Sequence, residues 1–226
     1  MHSTYHLIGS IQAALFLLSI SAVYVQLRFV RQRRAEIAAA LKTDLATDNL
    51  SVFAVTGAFL AFFSFLLLST TTTPFAHYIF WSRLPACALA VLLLWEYRRD
   101  FSSGPLALLG PMALTFFVTA LIWTTVQSGS MHQLNSSFQL FVLLAGVFLV
   151  GGQLHQLRLL LVNRRVGALS LKARTLNLLK DVSTVFFGFV LGAQQSWALI
   201  VVAGANAALT ALIIGVGMRL EKQVNK

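Results

Sequence analysis

Seven long apolar runs, at 7–27, 51–69, 78–97, 105–127, 138–157, 173–193 and 197–218, constrain this chain more than any other feature. A helix needs roughly 20 apolar residues to cross a bilayer core about 30 Å thick, and each run has about that length. The runs are continuous and lack the short alternating segments of a membrane barrel. With 58% hydrophobic residues, 11% charged residues and a mean hydropathy of +0.78, the chain is excluded from the soluble domains. The reading is an all-α polytopic membrane protein with seven spans, of which the sixth is the least apolar.

The net charge of +10 would point to nucleic acid in a soluble protein, but here its placement points elsewhere. Of the 17 Lys and Arg, all except Arg83 fall in or near 28–42, 98–99, 158–180 and 219–226. These segments share one side of the membrane if the amino terminus lies outside and the carboxy terminus in the cytoplasm, as the positive-inside bias requires. That orientation needs an odd number of spans. The expected setting is the plasma (inner) membrane, with lipid headgroups around the basic loops and no nucleic acid partner. The first run has no basic lead and no small-residue cleavage site, so it is expected to remain as an anchor. The single cysteine, Cys87, falls inside a run and excludes an internal disulfide.

A pattern then recurs along the chain. Gly151 to Leu171 reads GGQLHQLRLLLVNRRVGALSL: the end of an apolar run, a glutamine pair, a basic cluster and a new helix start. Ser21 to Val52 repeats it, with Val25-Gln26-Leu27-Arg28 standing for His155-Gln156-Leu157-Arg158, and with a longer loop that has room for a short surface helix. The duplication predicts two parallel three-helix repeats, 7–98 and 138–219, joined by a linker helix at 105–127. Parallel repeats of this kind put a substrate site between the halves near midplane.

Several polar residues sit inside the runs. Gln12, Ser19 and Gln26 are seven apart and share a helix face; hydrogen bonds between helices explain them more simply than a pore-lining stripe. Arg83 is explained most simply by snorkelling to the outer surface, and Pro85 by a kink. Asn177, Asp181, Thr184 and Gly188 share one face of the sixth run, where an intramembrane acid is functional by default. Asn206 lies mid-span among small residues and fits helix glue and solute binding equally. His2, His6, His77 and His132 read as scattered surface residues without metal-ligand spacing. Trp95-Glu96-Tyr97-Arg98-Arg99 reads as an interfacial anchor, and Asn135-Ser136-Ser137 matches a glycosylation sequon by pattern only.

The duplicated Gln-Leu-Arg, basic loop and Leu-Ser helix start resemble the PQ-loop family, which includes the SWEET sugar transporters and cystinosin-type exporters. Asp181 with Val185-Phe186-Phe187-Gly188-Phe189-Val190-Leu191-Gly192 is similar to the family's sixth helix, and Asn206 to its seventh-helix asparagine. The family's motif proline is replaced by Val25 and His155. The resemblance implies a seven-helix 3+1+3 fold and carriage of a small polar solute, sugar-like or amino-acid-like. Candidate solute contacts are Asn206, Asn177, Gln153, Gln156 and Gln26, with Asp181 as the candidate proton-coupling group. No catalytic residue, cofactor or metal is expected, because GxSxG, HExxH and CxxC patterns are lacking. The alternative is a non-transporting receptor or assembly protein on the same fold. The sequence leaves the oligomeric state open, a homo-oligomer included.

Overall fold

The computed structural model describes residues 2–39, 46–47, 52–72, 75–101, 103–126, 131–163 and 171–224. Among these there are seven α-helices and no strand: α1 (His2–Ala38), α2 (Val52–Ser69), α3 (His77–Asp100), α4 (Leu106–Val126), α5 (Asn135–Asn163), α6 (Leu171–Leu191) and α7 (Ala193–Val224). A 3-10 turn, Met131–Leu134, precedes α5. Five of the helices are long and apolar enough to cross a membrane by themselves, as a multi-pass membrane protein requires. Helix α2 has 18 residues, of which only Thr56, Ser64 and Ser69 are polar. The sixth helix carries Lys172, Arg174, Lys180 and Asp181 in its sequence, and Lys180 and Asp181 pair with each other. The chain continues as helix well past the first apolar run, to Ala38, where a loop was expected. The loop's proposed surface helix and the loop residues 164–170 lie largely or wholly outside the described residues. The third helix runs on through Pro85 and the fourth through Pro111.

Helix packing follows a repeated scheme. Helix α3 packs on both α1 and α2, and α7 packs on both α5 and α6. The two groups meet where α2 touches α5 and α1 touches α6. Helix α4 packs on α3, with a smaller contact on α2. Small residues set the closest approaches. A methyl group on Gly146 would overlap Val202, so α5 and α7 come together only because that position lacks a side chain.

The turn from α6 into α7 is tight. Gly192 has φ of +103°, a conformation that side chains resist. Four residues on, Ser196 (φ −134°) breaks the helical path. The break frees backbone groups, and α5 supplies their partners. Gln139 donates to the Gln194 carbonyl (3.3 Å) and accepts from the Ala198 N–H (3.3 Å). Asn135 donates to Thr71 Oγ1 (2.9 Å) and the Gln195 carbonyl (3.4 Å), so its amide is committed to packing.

Candidate functional site

A cavity of about 220 Å³ lies between the two helix groups, walled by residues of α1, α2, α3, α5, α6 and α7. The sequence had marked much of this wall. Gln153 and Gln156 of α5, Asn177 and Asp181 of α6, and Asn206 of α7 all line it. Gln26 does not, and is half-buried elsewhere on α1. The stripe it shares with Gln12 and Ser19 therefore divides. Ser19 lines the cavity, whereas Gln12 is fully buried and donates from Nε2 to Thr184 Oγ1 (3.3 Å), a bond from α1 to α6.

Asp181 is 5% exposed and both of its oxygens are engaged. Lys180 Nζ lies 2.9 Å from Oδ1, and Asn206 Nδ2 donates to Oδ2 at 2.5 Å. Asn206 thus joins α7 to α6, while its Oδ1 is buried without a partner. Thr184, one turn further along α6, is a junction. Its hydroxyl donates to the Lys180 carbonyl (2.8 Å) and accepts from Gln12 and from Arg83 Nη2 (3.4 Å). Phe62 of α2 lines the same cavity.

Arg83 corrects the sequence reading. It does not snorkel: it is 1% exposed and forms part of the cavity wall. Its guanidinium lies 3.7 Å from the Phe16 ring centroid and donates from Nη1 to Ser82 Oγ (2.7 Å). A desolvated cation on an aromatic face gains about 2 kcal/mol, less than the several kcal/mol that burying the ion costs. Arg174, also on the wall, donates from Nη1 to Gln153 Oε1 at 2.6 Å.

The ends of the bundle differ in what holds them together. At the end holding the start of α1, Tyr5 donates to the Phe75 carbonyl (3.1 Å) and lies 3.2 Å from His77 Nδ1. His6 Nδ1 lies 2.9 Å from the Tyr78 hydroxyl. The Phe187 ring of α6 is 5.5 Å from Tyr5 and 6.1 Å from Tyr78. His6, exposed as expected, and His77, half-buried, are therefore clustered with the tyrosines rather than scattered; the side chains of His2 and His132 lie outside the described residues. At the opposite end Glu96, 1% exposed, binds three arginines: Arg34 (2.9 Å), Arg99 (3.1 Å) and Arg31 (3.3 Å). Asp100 pairs with Arg34 (2.9 Å) and accepts from the Thr47 N–H and hydroxyl (2.7 Å each). This carboxylate cluster was missed in the sequence. Its only signal there was two acids within an arginine-rich helix end.

Taken together, these features define a multi-pass helical membrane protein with a cavity of mixed polar and apolar lining between two helix groups. A solved structure of a eukaryotic SWEET transporter shares this fold: the TM-score is 0.70 over 97% of this chain and 99% of that one, at 9% sequence identity. At that identity the likeness is one of fold. No protein-family model and no curated protein matches the chain.

Proposed function

We propose that the chain is a membrane carrier of the SWEET type for a small polar solute, and that the central cavity is its solute site. One observation carries the reading: a cavity that gathers Gln153, Gln156, Asn177, Asp181 and Asn206 among apolar side chains stands between two helix groups of like internal packing. In this reading 7–98 and 138–219 are parallel repeats, 105–127 is the helix that links them, and carriage is a rocking of one group against the other. Asn206, Asn177, Gln153 and Gln156 contact the solute. The amino terminus is outside and the carboxy terminus cytoplasmic in a plasma (inner) membrane, and lipids are the standing partners. Asp181 is the proposed proton site, because a proton there would release Lys180 and Asn206.

Uptake into proteoliposomes tests the carrier reading directly. Purified protein is expected to accelerate entry of at least one small polar solute over empty liposomes. A stoichiometric partner on purification with no flux would instead favour a receptor. If Asp181→Asn leaves the pH profile of uptake unchanged, that acid does not couple protons.

A further inference from the structure

Resting on the reading of the central cavity as a solute site, we infer that its occupant is a small organic anion, held through a carboxylate or phosphate group by Arg83. Three cationic side chains, Arg83, Arg174 and Lys180, belong to the wall, against one carboxylate, Asp181. That carboxylate is occupied from within the wall by Lys180 and Asn206. Among the described residues neither Arg83 nor Arg174 has an ion pair with an acid.

The guanidinium of Arg83 is poised for an anion. A carboxylate meets arginine side-on through the Nε–Nη2 edge, with two parallel hydrogen bonds. Here Nε has no partner and Nη2 holds only the 3.4 Å contact with Thr184. The Phe16 ring lies 3.7 Å from Arg83 and 5.6 Å from Lys180, where a counter-ion would otherwise be expected. Buried intramembrane charges pair or carry function, and a solute anion would supply the missing partner. A neutral sugar would leave both arginine charges uncancelled. A zwitterion would bring an ammonium to an acid already engaged. The cavity, about 220 Å³, falls below the roughly 300 Å³ of sites for drug-sized ligands, so the anion is of modest size.

The test uses the full-length protein in proteoliposomes, with labelled succinate, pyruvate, inorganic phosphate and glucose as probes at matched ionic strength. Thermal stability in detergent is followed with the same four compounds. At least one anion is expected to enter tenfold or more faster than glucose and to stabilise the protein, both effects being lost in Arg83→Gln. The organic acids against phosphate distinguish which group is bound. Arg83→Lys keeps the charge without the fork and is expected to weaken anion stabilisation about tenfold; it decides the matter if Arg83→Gln is not monodisperse. Stabilisation by an anion that Arg83→Gln abolishes, with no flux of any probe, upholds the anion site and overturns carriage. Glucose flux equal to that of the anions, or anion effects indifferent to Arg83, overturns the anion inference and leaves carriage standing. No response to any probe overturns the anion inference and leaves carriage of other polar solutes standing.

Discussion

The two ends of the bundle are held by opposite chemistry, and the stronger chemistry does not span the halves. At the basic end, Glu96 and Asp100 of α3 gather Arg31 and Arg34 of α1 and Arg99 of α3 itself. Every one of those helices belongs to the first group, so the ion pairs stiffen one body and leave its junction with the other untouched. At the other end the contacts are neutral: ring edges, tyrosine hydroxyls and histidine nitrogens. The hydroxyl and histidine contacts stay within the first group, while ring contacts run from Tyr5 of α1 and Tyr78 of α3 to Phe187 of α6, across the junction. Ion pairs hold the first group at one end, and weak, easily reformed ring contacts join it to the second group at the other. That division suits a molecule that must open repeatedly without unfolding.

Substitutions can break or sharpen this contrast, beginning with the largest effect. Glu96→Gln strips a buried carboxylate from three arginines and is expected to cost about 3 kcal/mol or more, read as a lower unfolding temperature in detergent. Access to the cavity from the ringed end should not change with it. Gly146→Val forces α5 away from Val202 and is expected to cost about 1–3 kcal/mol by the same measurement, again within one half. Phe187→Leu removes the ring that Tyr5 and Tyr78 meet across the junction and costs only about 1 kcal/mol. Its effect on access should be the larger one, with several-fold faster maleimide labelling of a Ser19→Cys reporter from the ringed end. If labelling is unchanged while Glu96→Gln accelerates it, the contrast between the ends is the wrong way round. Gln26→Ala, outside the cavity, is expected to stay within about 0.5 kcal/mol and to leave uptake as it was.

How much of this was legible in the sequence depended on whether depth or direction was being asked. Apolar runs fix depth, so all seven helices were marked, and Asp181 and Asn206 were expected deep in the bundle. Direction around a helix is a property of its neighbours. Arg83 was placed at the correct depth but sent outward, because nothing local to it records that Phe16 and Thr184 stand opposite. Gln26 was grouped with Gln12 on seven-residue spacing. That spacing drifts by about 20° per heptad, and two heptads of helix also carry it about 21 Å along the axis, past the cavity. Glu96 looked like an interfacial anchor because its own helix end is basic. Its principal partner, Arg34, is 62 residues away and lies on a stretch of α1 that was expected to be loop.

Helix α4 has a mechanical consequence. It rests on α3, with a smaller contact on α2, and so travels with the first half as ballast rather than serving as a hinge between the two. If the halves do rock, four helices move against three.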